Sequence, residues 1–119
     1  MSKHYELGKK GEQLAVDLLI AKGYTVRERN WRFQKAEVDI IAQKENVLAV
    51  VEVKTRSTSE FGNPQDFVSQ KKIKLLVCAV DEYIQQHDLD IEVRFDIIAI
   101  TKEDHQDKVV HLEDAFLHF

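Results

Sequence analysis

A chain of 119 residues, 44% hydrophobic and 32% charged, suits one globular domain over 1–119 with a single core, and excludes a disordered or fibrous protein. The formal net charge of −4 argues against a polyanionic partner, yet residues 1–75 hold 14 Lys and Arg against 10 Asp and Glu, while residues 76–119 hold 3 against 11, so a basic face can sit on an acidic protein. Cys78 is the only cysteine, which excludes an intrachain disulfide; with no signal-like apolar run and no membrane-length stretch, the expected location is the cytoplasm.

Apolar residues at helical spacing predict a helix over 5–22, stopped at Gly23. Leu7, Gly11, Leu14 and Leu18 form one stripe of it. Gly8, Glu12, Ala15 and Leu19 form the next, which sets Glu12 beside the buried face. Residues 25–29 are a short strand candidate. Stronger strands follow at 36–42 (AEVDIIA) and 47–55 (VLAVVEVKT), joined by a hairpin loop over the four residues 43–46. Residues 57–66, with Gly62 and the only proline, Pro64, read as a loop. Ser69 can cap a helix over 70–86 whose Ile73, Leu76, Val77, Val80 and Ile84 face the core. A strand at 94–100 (RFDIIAI), a polar turn at 101–107 and a short strand at 109–112 follow. The order α-β-β-β-α-β-β predicts an α/β fold with a mixed sheet flanked by helices.

Strand alternation points Glu52 and Lys54 the same way, and gives Glu37, Asp39 and Ile41 a common face on the preceding strand. A four-residue loop would pair Ala42 with Val47. Glu37 then lies opposite Glu52, and Asp39 lies opposite Val50, diagonal to Glu52. Three carboxylates and a lysine thus share a surface otherwise made of Ile, Leu and Val. Like charges facing across strands repel, and carboxylates on a half-buried face lose hydration. A divalent cation removes both penalties, because Mg²⁺ takes carboxylate oxygens and keeps waters for a phosphate. A lysine two residues from a ligand can reach that phosphate or position the attacking water. The set suits phosphodiester hydrolysis, with Glu12 as an additional acid from the helix. The plain alternative is that Glu-x-Lys on a strand is an exposed cross-strand ion pair; Asp39 and Glu12 weigh against it.

Asp39 followed by Glu52-Val53-Lys54 on the next strand resembles the PD-(D/E)xK signature of restriction-endonuclease-like nucleases, with Val38 where a proline often sits. More narrowly, Gly11-Glu12, Asn30-Trp31-Arg32, Glu37-Val38-Asp39-Ile40-Ile41, Val51-Glu52-Val53-Lys54-Thr55-Arg56, Phe61-Gly62-Asn63-Pro64 and Arg94-Phe95-Asp96 resemble the bacterial YraN family, related to Holliday-junction resolvases. The likeness runs from about Gly8 to Ala115-Phe116, with Ala36 replacing a glycine. It implies a restriction-endonuclease-like fold and a metal-dependent endonuclease acting on DNA before RNA, on branched, recombination or repair intermediates. It also implies Mg²⁺ or Mn²⁺ bound by Asp39, Glu52 and the Val53 carbonyl, a catalytic Lys54, and a Glu12 that completes the site. Glu37 receives no role from it. Symmetric branched DNA would suit a homodimer. The rival is a non-catalytic nucleic-acid-binding or scaffold module that keeps the fold, and a third reading is a structural protein with the acidic C-terminal half as its contact surface.

Lys9, Lys10, Arg27, Arg29, Arg32, Lys35, Arg56, Lys71, Lys72 and Lys74 could meet phosphates. Arg56, directly after the site strand, and Lys71, opening a helix, are the expected nucleic-acid contacts. Trp31 could stack on a base, but packing against the sheet edge is the preferred reading. The five histidines show no paired ligand spacing and are expected in solvent. Cys78 is expected as a small packing residue.

Overall fold

The computed structural model describes residues 3–57, 68–103 and 106–115. Helix α1 (Lys3–Ala21) ends where Gly23 turns the chain at φ 96°, a left-handed value open to glycine. Strands β1 (Thr25–Phe33), β2 (Ala36–Lys44) and β3 (Val47–Ser57) follow as an antiparallel meander. Helix α2 (Gln70–His87) starts at Ser69, whose hydroxyl accepts from the Lys72 N–H at 3.1 Å. Strand β4 (Glu92–Lys102) pairs parallel with β3, and β5 (Asp107–Leu112) adds antiparallel to β4. The result is the expected α/β architecture: a mixed five-stranded sheet, ordered β1-β2-β3-β4-β5, with a helix on each face.

Each helix covers its own core. Ile73, Leu76, Ala79, Val80 and Tyr83 of α2 pack with Val38, Ile41, Leu48, Val50, Phe95 and Ile97. Ala15, Val16 and Leu19 of α1 pack with Ile40, Ala42, Ala49, Val51, Ile98 and Ile100. Because both faces are covered, the central strands are apolar almost throughout. At Gly11 a Cβ would collide with the Thr55 hydroxyl and stand 3.2 Å from Ile100 Cδ1, so α1 lies with its backbone against β3 and brings Glu12 to the sheet.

Four local expectations change. The β2–β3 loop has two residues, Glu45 and Asn46, with Glu45 at φ 54°, and Lys44 pairs with Val47. Apolar content alone marks strand ends poorly, and the polar Gln43 and Lys44 belong to the strand, not to the loop. The two-residue shift keeps the parity of the paired residues 40–44 and 47–51 but moves Glu37 away from Glu52, and Val38, expected on the face opposite Ile41, shares the face of Ile41. Second, β1 runs to Phe33, passing through Asn30 at φ 52° and a register shift between Val26 and Glu28. Its polar, half-exposed sequence hides an edge strand that pairing with β2 stabilises. Third, β3 extends to Ser57, and the rest of the expected 57–66 loop, including Phe61-Gly62-Asn63-Pro64, lies outside the described residues. Fourth, Cys78 is exposed, since its position on α2 lies off the buried stripe. Among the described residues no helix is long and apolar enough to cross a membrane.

Candidate functional site

The site forms where β2 and β3 part. Their pairing stops at Ile40 and Val51, and alternation breaks there too. Val38 and Ile41 both join the core under α2, while Ile40 between them joins the core under α1. This irregularity frees the Asp39 carboxylate to take the place of a strand partner: the Val53 N–H donates to its Oδ2 at 2.8 Å. Glu52, one residue beyond the last pair, turns toward α2, where Lys72 Nζ lies 2.9 Å from its Oε2. Its Oε1 is buried without a partner, alone in this among the buried side-chain polar atoms of the described residues.

The charges act on one another. Burial, followed by the Asp39 charge, pushes the Glu52 carboxyl up to about 7, against the lowering pull of Lys72 and Lys54. Burial also raises Asp39; its bond from Val53 and the Lys72 charge oppose this, while Glu12 and Glu37 add to it. Burial lowers Lys72, but Glu52, Asp39 and Glu37 together hold it above the ordinary lysine value. These groups therefore form one electrostatic unit, short of positive charge.

Glu12 approaches from α1, on the side of the sheet away from Lys72. Its Oε1 accepts from Arg29 Nε and from Asn30 Nδ2, each at 3.0 Å, and its charge is felt at Asp39. Lys54 is half-buried two residues beyond Glu52, its charge acting on that carboxylate. Glu37 does not face Glu52; it pairs with Arg32 across β1 and β2. Arg56 is half-buried on β3. Lys71 is exposed and lines an open cleft of about 340 Å³ with Lys35, Glu37, Ser69 and Lys72. Trp31 packs, as preferred: it meets Tyr83 edge-on at 5.2 Å and stacks beside Phe33 at 6.3 Å.

The sequence profile of the Uncharacterised protein family UPF0102 matches residues 11–100. UPF0102 proteins of Flavobacterium psychrophilum and Christiangramia forsetii are 61% and 59% identical to this chain over 119 residues, covering all of both partners. A UPF0102 protein of Bacteroides thetaiotaomicron is 47% identical over 116 residues, 98% of this chain and 96% of that relative. This chain belongs to the UPF0102 family. That is the YraN family its motifs resemble.

In this UPF0102 chain Asp39 and Glu52 are the residues that would hold a cation if one bound, with the Val53 carbonyl the expected third donor. An unpartnered buried carboxylate oxygen beside a second carboxylate fits a hard divalent ion, which would satisfy the orphan and offset the repulsion. Among the described residues no three His, Cys, Asp or Glu side chains stand together as an ion cage. Two carboxylates completed by water are a normal Mg²⁺ shell.

Sequence reasoning missed two things. Lys72, one of ten basic residues able to meet phosphate by sequence, is the ion partner of Glu52. The available signal was its spacing, four residues before the buried Leu76 on the same helix. His111 is not solvated: its side chain is 3% exposed, and Nε2 lies 2.8 Å from Asp96, which is fully buried. No local pattern announces that contact, because it joins β5 to β4.

Proposed function

We propose that this chain is a Mg²⁺- or Mn²⁺-dependent nuclease that hydrolyses phosphodiester bonds in nucleic acid, DNA before RNA, with branched recombination or repair intermediates as its substrates. The observation that carries the reading is the buried, unpartnered Oε1 of Glu52 beside Asp39. A merely structural carboxylate so deeply buried would have its lone pairs filled.

Asp39 and Glu52 hold the ion in this reading, with the Val53 carbonyl as third ligand, and Glu12 extends the acidic set from α1. A divalent cation there supplies positive charge against the phosphoryl oxygens and lowers the pKa of a water. Lys54 reaches the scissile phosphate or orients the attacking water, offsetting charge that grows on the phosphoryl group. Arg56 and Lys71 contact flanking phosphates, which fix register without reading sequence. A two-fold branched substrate calls for a homodimer, and the cytoplasm is the location that accompanies this reading, since a chain with one cysteine suits a reducing compartment.

The test is cleavage of labelled duplex, single-stranded and branched DNA with Mg²⁺, Mn²⁺ or chelator. Wild type cuts only with metal; Lys54→Ala binds Mn²⁺ without cutting; Asp39→Asn neither binds nor cuts. Absence of cleavage on every substrate, together with metal-independent DNA binding, would leave the rival binding module. That rival draws on the small acidic set, since no three-residue ion cage occurs among the described residues.

A further inference from the structure

Lys72 stands where α2 would ordinarily bury an apolar side chain. Residues 73, 76, 79, 80 and 83 of that helix are buried, and a residue four before Leu76 starts on the same stripe. The position carries an ammonium group instead, 2.9 Å from Glu52 Oε2. The pair is lopsided: the Glu52 side chain is 2% exposed and that of Lys72 is 38% exposed. The carboxylate is fixed in the sheet, whereas the cation reaches it along a flexible stem from the solvent side. One ammonium group faces two carboxylates, and Glu52 Oε1 remains without a partner. Lys72 also lines the open cleft that contains Lys35 and Lys71, so its head has a second, hydrated place to go.

We propose that Lys72 is the built-in counter-ion of the metal-free site. A divalent cation and the Lys72 ammonium group compete for Glu52, and binding of the cation releases the ammonium group into the cleft. There it joins Lys35 and Lys71 as a contact for backbone phosphate. The proposal rests on the metal-binding reading above. Its physical basis is charge and space: an ion coordinated to Glu52 repels an ammonium group in hydrogen-bond contact with the same carboxylate. The ion also offers two charges and a partner for Oε1, which one lysine cannot. Competition makes the coupling reciprocal, so metal favours phosphate binding and phosphate favours metal.

Calorimetric titration of the metal-free full chain with Mn²⁺, at about pH 8, tests this in wild type, Lys72→Met, Lys72→Gln and the exposed control Lys74→Met. Removing the competitor should tighten Mn²⁺ binding roughly threefold to tenfold in both Lys72 variants. Lys74→Met should change Kd by less than about twofold, which measures the general loss of one nearby charge. Adding Asp39→Asn to Lys72→Met should abolish the binding heat, tying it to this site. Thermal unfolding of each variant without metal checks that it is folded. Equal or weaker Mn²⁺ binding in folded Lys72 variants overturns the counter-ion role while leaving the metal reading intact. No Mn²⁺ binding by wild type or either Lys72 variant overturns both.

Discussion

Glu52 and Asp96 are the two buried charged residues among the described residues, and they sit on opposite faces of the same sheet in contrasting surroundings. Asp96 accepts from Arg94 Nε at 2.9 Å and Nη2 at 2.8 Å, and from the Asp114 N–H at 3.0 Å, while His111 Nε2 stands 2.8 Å away. Lys22 Nζ lies 2.7 Å from the other His111 nitrogen, and Arg94 also meets the Tyr24 hydroxyl. Burial pushes the Asp96 carboxyl up, but the bonds from His111, Arg94 and Asp114 outweigh it and hold the group below the usual aspartate value. Glu52, equally buried, has one lysine in contact and an oxygen without a partner. Burial alone therefore does not distinguish a structural acid from a candidate ligand. What distinguishes them is how many donors the fold supplies: a network that closes on itself stabilises, and one left open invites a ligand.

The sharpest way to break this contrast is to neutralise one acid in each setting, Asp96 in the closed network and Asp39 beside Glu52. Asp96→Ala leaves Arg94 and His111 facing a void, and should cost roughly 3 to 5 kcal/mol in urea unfolding. A cost below about 1 kcal/mol would mean that the Asp96 network is not structural. Asp39→Asn should leave the metal-free protein as stable as wild type or more so, because an amide oxygen can still accept from Val53 and a repelling charge is gone. It should also forfeit the gain in stability from Mn²⁺, which is about 2.7 kcal/mol at a hundredfold excess over Kd. Strong destabilisation by Asp39→Asn, with no divalent ion stabilising wild type, would assign both carboxylates to the structural class and sink the nuclease reading.

The two acids also oppose each other in pH. The Asp96 carboxyl is lowered by folding from 3.8, so its stabilisation is present above that value and is lost as pH falls through the lower, folded one. Glu52 is raised from 4.5 to about 7. Its contribution is present below 4.5 and is lost as pH rises through about 7. Metal-free protein should therefore lose on the order of 3 kcal/mol to Glu52 across that window, and Glu52→Gln should flatten this loss. Chemical denaturation at a series of pH values checks both signs; an identical wild-type and Glu52→Gln profile would remove Glu52 from the account. The smallest expected effect belongs to Lys71. Lys71→Ala should shift stability by less than about 0.5 kcal/mol, yet lower DNA affinity and reduce the salt slope by about one unit.

Much of the fold is legible in the sequence because the central strands carry dense apolar runs and α2 a helical period. The apolar runs around Asp39 and Glu52 identify β2 and β3, and the even-numbered spacing of Glu52 and Lys54 identifies a common direction. The expected register is off by two residues because Gln43 and Lys44 are polar at a strand end, and polarity there reports solvent, not the turn. Parity survives the error over the paired residues 40–44 and 47–51, and Asp39 and Glu52 flank the point where that pairing ends. Asp96 carries no comparable signal. Its partners Arg94 and Asp114 are near in sequence or on the adjoining turn, but Tyr24, Lys22 and His111 come from the far end of α1 and from β5. Only the folded topology assembles them. Lys72 is legible in principle, as a cation on an inward stripe, but its partner is fixed by how α2 crosses β3.

The edge strand β1 has a consequence for self-association. A nine-residue edge with open N–H and C=O groups could serve as a template for another chain's strand. This edge makes a poor template. Arg27, Glu28, Arg29 and Arg32 stud it, Asn30 bends the backbone into the left-handed region, and the register slips between Val26 and Glu28. Growth of the sheet through β1 would need to align those charges and straighten that kink. The same irregularity that lets Asn30 and Arg29 grip Glu12 thus works against open-ended growth of the sheet through β1.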